Sequence, residues 1–103
     1  MENGKNIKIF PSEYRFCQIL WENEPATTTQ LVYQCRDKLN WTKSTTYTVI
    51  RRLVSRGFIK KDGTLCSSLA SKTDVQYDVL TELIAEYFED YSEFIQVAKQ
   101  MQK

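Results

Sequence analysis

The stretch from Lys43 to Lys61 combines hydroxyl and basic side chains and contains no acidic residue. It holds six lysines and arginines in a chain that is 26% charged overall. Such side chains donate hydrogen bonds to phosphate oxygens and to base edges, whereas a carboxylate among them would repel the phosphate backbone. A solvated helix face usually mixes glutamate with lysine and arginine, because spaced ion pairs stabilise it. The pattern therefore favours a nucleic-acid contact over an ordinary exposed face.

These side chains fall on a predicted helix, because the apolar residues between them recur at helical spacing. The helix is expected to begin at Thr42 or Lys43 and to run to about Arg56, with Gly57 as its stop. Its buried face is predicted to contain Thr46, Val49, Ile50, Leu53 and Val54. The predicted DNA contacts lie on the rest of this helix and in the segment after it: Lys43, Ser44, Thr45, Tyr47, Thr48, Arg51, Arg52, Lys60 and Lys61. Tyr47 is the ambiguous member, since its ring can pack on the scaffold instead.

The sequence offers little for catalysis or metal binding. It contains no histidine, no glycine-rich phosphate loop and no carboxylate pair beside a plausible nucleophile. The three cysteines, Cys17, Cys35 and Cys66, are far apart and lie among apolar neighbours, which predicts small core residues and neither a disulfide framework nor a metal site. We therefore expect a protein that is not an enzyme, with no catalytic residue, metal or cofactor.

Two further helices and a hairpin are predicted around the basic helix. The first helix starts at Pro11-Ser12, with Ser12 as the N-cap, and ends before Pro25. The second is capped by Thr27 or Thr28 and ends at residues 40–41. Residues 62–63 (Asp-Gly) form a turn signal between two short runs, which predicts a β-hairpin. Three helices followed by a hairpin is the order of a winged helix-turn-helix domain, so the predicted fold is mainly α, of the α+β type, with a small β-hairpin wing.

Residues 73–103 contain neither glycine nor proline and carry a long apolar stripe at helical spacing, with a break near residues 90–92 left open. A lone helix with a wide apolar face is unstable when exposed, so it must pack on its own domain or on a second copy. Its large aromatic residues would overfill the small front domain, which favours a C-terminal dimerisation helix or helices. The predicted dimer interface consists of Val79, Leu80, Leu83, Ile84, Tyr87, Phe88, Tyr91, Phe94 and Ile95.

The charge divides along the chain in the same way. Residues 1–73 contain 12 Lys and Arg against 6 Asp and Glu, whereas residues 74–103 contain 2 against 7. A basic front part suits polyanions and an acidic rear part suits protein partners. We therefore predict a polar arm at 1–10, a winged-helix DNA-binding domain at 11–72 and a helical dimerisation segment at 73–103. No apolar run predicts a signal peptide or a membrane partner, so we expect a cytoplasmic protein.

The chain resembles the penicillinase-repressor family (BlaI, MecI and CopY type) of winged-helix transcription repressors from about Phe10 to Ile59, and more faintly to Ser92. The family's opening signature, an acidic-aromatic pair, apolar pairs and Leu-Trp, is matched by Ser12-Glu13-Tyr14, Phe16-Cys17 and Leu20-Trp21. Its recognition-helix signature is matched by Trp41-Thr42, Thr45, Thr48, Arg52-Leu53 and Gly57.

The resemblance implies a homodimeric repressor on a palindromic operator, with one recognition helix in each half-site and C-terminal helices joining the subunits. Thr45, Thr48 and Arg52 are the matched DNA-contact positions, and a regulatory protease or sensor is left open as a further partner. The alternative is a winged-helix interaction or accessory module that does not read DNA sequence, which would carry acids and an exposed apolar patch on the third helix.

The chain departs from the family pattern in several places. The wing is about two residues shorter than usual, and Ser67-Ser68-Leu69 stands where Tyr-x-Pro is common. The copper-responsive branch carries a cysteine-rich tail, but no cysteine follows Cys66 here. The Asn-Phe bond that is cleaved in the β-lactam-responsive branch is also absent. These departures exclude copper sensing through that motif and leave the inducing signal open.

Overall fold

The computed structural model describes residues 8–102, in five helices and three short strands. In chain order these are α1 (Pro11–Asn23), β1 (Ala26–Thr27), α2 (Thr28–Leu39), α3 (Lys43–Ser55), β2 (Ile59–Asp62), β3 (Leu65–Ser68), α4 (Lys72–Tyr87) and α5 (Tyr91–Met101). The chain separates into two compact units at the Lys72–Thr73 boundary. Within residues 8–102, no helix is long and apolar enough to span a membrane.

The core of the first unit joins α1, α2, α3 and the sheet. Its largest fully buried apolar side chains are Phe16, Leu20, Leu31, Ile50, Leu53 and Ile59. Burying a side chain of this size stabilises the fold by about 1.5–3 kcal/mol. The predicted buried face of the third helix is confirmed at Thr46, Val49, Ile50 and Leu53, but Val54 was predicted wrongly, because 37% of it is exposed at the margin of the face.

The first helix begins earlier than its sequence suggested. Phe10 occupies the N-cap position, Pro11 is the first helical residue, and the predicted N-cap Ser12 lies inside the first turn. Proline suits this position because its missing N–H would have had no partner in the helix. The helix is instead capped by Glu13, which lies in its first turn. The Glu13 Oε1 accepts a hydrogen bond of 3.0 Å from the Phe10 backbone N–H.

Local hydrogen bonds also set the angle between α2 and α3. Asn40 adopts a left-handed conformation with φ of 58°, and its backbone N–H donates to the carbonyl of Arg36 at 3.1 Å. The Trp41 N–H reaches back to the carbonyl of Cys35 at 3.3 Å. The bond from the left-handed Asn40 to Arg36 is that of the αL C-cap motif, a position at which asparagine can stand in for glycine. It reverses the chain within a few residues, so α3 starts at a fixed place relative to α2.

The wing is a three-stranded antiparallel sheet with the order β1-β3-β2. The predicted hairpin is β2 and β3, in which Asp62 faces Leu65 across a two-residue loop. Gly63, the first loop residue, has φ of 65°, which a type II′ turn requires and which glycine adopts without strain. Strand β1, which pairs Ala26 with Cys66, was not predicted, because two residues are too few to give a periodic signal.

Polar contacts fasten the sheet to α1 and α2. The Thr28 N–H donates to the carbonyl of Thr64 at the wing tip at 2.9 Å. The Glu24 carboxylate accepts hydrogen bonds from the backbone N–H and the hydroxyl of Ser68, at 2.6 and 2.9 Å. The Trp21 indole N–H donates to the carbonyl of Ala70 at 3.0 Å. The short wing is thus held along both ends of β3.

The second unit contains α4 and α5, which are separated at residues 88–90. The break that the sequence left open is therefore real, and Asp90 caps α5 by accepting a hydrogen bond of 3.0 Å from the Glu93 N–H. The rings of Phe88 and Phe94 meet edge to face across the break, 5.5 Å apart. Val75 is the only buried side chain among the described residues of this unit.

Candidate nucleic-acid interface

The start of α3 is held by a cap and by a ring contact. Thr42 is the N-cap, and its Oγ1 accepts a hydrogen bond of 3.1 Å from the Thr45 N–H. The indole of Trp41 stacks nearly parallel to the ring of buried Phe16, with centroids 6.4 Å apart. Inside the helix, the hydroxyl of fully buried Thr46 donates to the carbonyl of Thr42 at 3.3 Å. The first turn is therefore fixed before any ligand arrives.

The predicted contact residues of α3 lie on its solvent side. Five of them are exposed: Lys43, Ser44, Thr45, Arg51 and Arg52. Tyr47 and Thr48 are half-buried. The positions 44–45, 48, 51–52 and 55 recur at helical spacing and form one row about 16 Å long. This row, here called the α3 stripe, has hydroxyl groups at its N-terminal end and arginines at its C-terminal end.

Tyr47 lies beside the stripe rather than in its centre. The Lys43 ammonium lies over the Tyr47 ring, with Nζ 5.9 Å from the ring centroid. A cation over an aromatic face is attracted by the ring quadrupole, by about 0.5–1 kcal/mol at exposed sites. This contact orients Lys43 at the N-terminal end of the helix.

The C-terminal half of the stripe opens into a hollow of about 400 Å³, lined by Thr48, Arg51, Arg52, Ser55 and Arg56. We call it the arginine hollow. Arg56 was not among the predicted contact residues, although it lies four residues after Arg52 and therefore on the same side of the helix. That spacing was the sequence signal that could have found it.

Arg56 is held in place by contacts from outside the helix. Its guanidinium donates to the carboxylate of Glu13, whose side chain is 3% exposed against 30% for Arg56. It also donates to the carbonyl of Lys8 at 2.7 Å. The rings of Phe10 and Phe58 lie on it, with centroids 6.0 and 5.9 Å from the guanidinium carbon. The end of α3 is thereby tied to the start of α1.

The two wing lysines do not share one surface. Lys60 pairs with Ser67 and Lys61 with Cys66 in the ladder of β2 and β3, and both lysines are exposed. Successive side chains of a strand point to opposite faces of the sheet, so a surface approached from one side meets only one of them. The structure therefore separates two residues that the sequence had grouped.

The cysteines are core residues, as predicted. All three are buried free thiols. Burial, helped by the nearby carboxylates of Glu13 and Glu24, raises the pKa of Cys17 to about 12. Burial also raises the pKa of Cys35 to about 11, against the opposing effect of a hydrogen bond with Thr46, and raises the pKa of Cys66. Thiols in this state are poor nucleophiles and poor metal ligands.

Metal ligands are also not gathered elsewhere in the described part of the chain. Among residues 8–102, no group of three or more His, Cys, Asp or Glu side chains is placed to hold a metal ion.

The predicted dimer residues lie on α4, on α5 and in the break between them, with much of their apolar surface in solvent. Val79, Leu80, Leu83, Tyr87 and Tyr91 are exposed. Ile84, Phe88, Phe94 and Ile95 are half-buried. Exposed apolar residues occur singly on any protein, so the dimer interface stays a prediction here.

Comparison with known proteins gives consistent matches. The family model described as penicillinase repressor matches residues 9–103. Over 79 residues the chain is 29% identical to methicillin resistance regulatory protein MecI of Staphylococcus aureus strain Mu50, which covers 73% of this chain and 64% of that protein. MecI of Mammaliicoccus sciuri is 28% identical over the same length. The chain thus matches slightly less than two thirds of the length of these relatives.

Two solved structures share the fold of the first unit. One is the solution structure of the DNA-binding domain of the repressor BlaI, with a TM-score of 0.59 and 19% identity, covering 68% of this chain and 90% of that one. The other is monomeric BlaI of Bacillus licheniformis in complex with the blaP half-operator, with the same TM-score, identity and coverage. The predicted winged-helix fold is confirmed by these matches.

Proposed function

Because the chain belongs to the penicillinase-repressor family, we propose that it is a sequence-specific DNA-binding protein that represses transcription as a homodimer on a palindromic operator. Its partner is double-stranded DNA and it has no enzymatic role. The protein acts in the cytoplasm, where the DNA is.

The observation that carries the proposal is the α3 stripe. The major groove is about 12 Å wide and admits a helix, whose diameter is about 10–12 Å, so an exposed row about 16 Å long can face the bases from within it. Hydroxyl groups at the helix N-terminus and arginines beyond them are the donors that phosphates and base edges accept. The structure of a BlaI monomer with a blaP half-operator supports the assignment of one half-site to one copy of such a domain.

The homodimer is supported by the apolar surface on α4 and α5. Leu83 is 43% exposed and Tyr87 is 72% exposed, although both are residues that a stable fold usually covers. A second copy of the same surface covers them and presents two α3 helices related by a twofold axis. Two such helices read half-sites separated by about one helical turn of DNA, which is why the operator is proposed to be palindromic.

The test is fluorescence anisotropy of the purified protein with the DNA upstream of its own coding sequence and with a scrambled duplex, at two salt concentrations. We expect the protein to bind the upstream DNA more tightly than the scrambled duplex. This preference should persist at the higher salt, because contacts to bases do not depend on counterion release. Replacing Lys43 and Arg51 together by alanine should weaken this binding about a hundredfold, since each charged donor contributes about 1.5 kcal/mol. The matched control is Arg15→Ala, which removes an exposed arginine from α1.

If the protein binds both duplexes equally and the higher salt abolishes binding to both, the proposal that it recognises a DNA sequence is wrong. The basic surface would then bind DNA without specificity. If the variant lacking Lys43 and Arg51 binds the upstream DNA as tightly as the parent protein, α3 is not part of the DNA interface.

A further inference from the structure

We infer that the arginine hollow is a phosphate-binding site, which fixes the register of α3 on the DNA backbone while the N-terminal half of the helix reads bases. The inference rests on the proposed DNA-binding function for its biological ligand, a backbone phosphate. The hollow itself is assigned from its own geometry and charge.

The charge of the hollow is unbalanced on the helix that builds it. Arg51, Arg52 and Arg56 line one concavity of about 400 Å³ together with two hydroxyl residues. Arginine stays protonated, and like charges four residues apart on a helix repel each other. Glu13 of α1 balances the charge of Arg56. No acidic residue lies between Lys43 and Lys61, so the helix supplies no carboxylate that relieves the repulsion between the remaining charges of Arg51 and Arg52. A bound anion relieves it, which makes the concavity attractive to one.

Phosphate fits this lining better than a base edge does. A guanine accepts a single bidentate arginine, whereas three arginines line this hollow. Phosphate oxygens accept from arginine in the planar, forked geometry and also from short hydroxyl donors, which Thr48 and Ser55 provide. The position agrees as well, because it is the N-terminal residues of a recognition helix that contact base edges. The hollow lies at the other end of α3.

Arg56 is prepared for the ligand before it binds. Its guanidinium is oriented by Glu13 and by the Lys8 carbonyl, and it lies against the rings of Phe10 and Phe58. Those hydrogen bonds use part of its N–H groups, and the remainder can donate to a phosphate. A side chain that is already ordered loses little entropy on binding. Arg56 is therefore the fixed side of the hollow. Arg51 and Arg52 are both exposed and move onto the ligand when it binds.

The first arm of the test uses inorganic phosphate as the probe and the full-length protein. Arginine Nε–H and backbone amide resonances are followed by NMR while phosphate replaces chloride at constant ionic strength. We expect saturable shifts at residues 48–56 that chloride does not produce. Arg51→Gln and Arg52→Gln should each weaken phosphate binding severalfold, and the control Arg15→Gln should not. An equal response to chloride, or none, overturns the assignment.

The second arm uses the upstream and scrambled duplexes with Arg51→Gln, Arg52→Gln and, for comparison, Thr45→Ala. Loss of a phosphate contact weakens binding to both duplexes by a similar factor, about tenfold, and lowers the slope of log affinity against log salt by about 1. Thr45→Ala should instead lower the ratio between the duplexes and leave the salt slope unchanged. If the arginine variants lower the ratio while binding to scrambled DNA is preserved, the hollow reads bases and the inference is wrong.

The two arms separate this inference from the proposed function. Phosphate binding without discrimination between the duplexes supports the hollow and contradicts the sequence-reading repressor. Discrimination between the duplexes with no response to phosphate supports the repressor and overturns the phosphate site.

Discussion

Glu13 and Arg56 show how a single buried charge organises the first unit. The Glu13 carboxylate is almost fully buried, and it accepts hydrogen bonds from the Phe10 N–H and from the Arg56 guanidinium. A buried carboxylate is tolerated only with such partners, because taking it out of water costs several kcal/mol. Its partners lie at the start of α1 and just after the end of α3, so satisfying one residue aligns two elements.

At this scale we predict that Arg56→Ala lowers the free energy of unfolding by about 2–3 kcal/mol. Breaking a buried ion pair from one side typically costs about 3–5 kcal/mol, and the partial exposure of Arg56 reduces that figure. Urea unfolding followed by tryptophan fluorescence measures the change, with the exposed Arg15→Ala as the control. Adding Glu13→Gln to Arg56→Ala should recover part of the loss. A single variant as stable as the parent protein would show that Glu13 does not need Arg56.

At the scale of elements, α3 depends on what precedes it. Three features act before the first helical residue: the left-handed cap at Asn40, the stack of Trp41 on Phe16 and the cap at Thr42. Together they present the first turn of α3, with Lys43, Ser44 and Thr45, in one orientation. The wing is positioned in a similar way, by Glu24 and Thr28 on neighbouring elements.

We predict that Thr42→Ala lowers the free energy of unfolding by about 1 kcal/mol, because the Thr45 N–H loses its acceptor. Thr42→Ser keeps a hydroxyl at the same place and should change stability by only a few tenths of a kcal/mol. Thermal and urea unfolding of both variants measure the difference. Equal effects of alanine and serine would indicate that the threonine methyl group, and not the cap, is what stabilises α3.

On the scale of the whole molecule, two kinds of surface divide the chain. The first unit carries the basic α3 stripe, and the second carries exposed apolar residues on helices with seven acidic residues in the segment 74–103. Acidic groups repel DNA, so the second unit is suited to a protein partner and unsuited to the groove. The proposed dimer uses this division, since each copy then contributes one DNA-reading surface and one joining surface.

We predict that Leu80→Asp with Leu83→Asp makes the protein monomeric in sedimentation velocity. Both leucines expose about two fifths of their surface, which leaves apolar area for a second copy to cover. Two carboxylates on each of the two facing surfaces repel their counterparts and lose their hydration on burial. The matched control, Thr81→Asp with Ser92→Asp, places the same charges at exposed polar positions. A double leucine variant that remains dimeric would show that the joint lies elsewhere.

The sequence by itself determined the features that depend on nearby residues. Apolar spacing predicted the helices, and the acid-free stretch predicted the exposed face of α3. The Asp62-Gly63 pair predicted the hairpin, although its loop consists of Gly63 and Thr64, one residue further along. Each of these features follows from local geometry or local charge. The tertiary structure decided what depends on distant partners. Glu13 meets Arg56 across 43 positions and Glu24 meets Ser68 across 44, and no local pattern encodes either pair. It also added β1 to the sheet and separated Lys60 from Lys61, since burial and strand register arise only when the elements pack together.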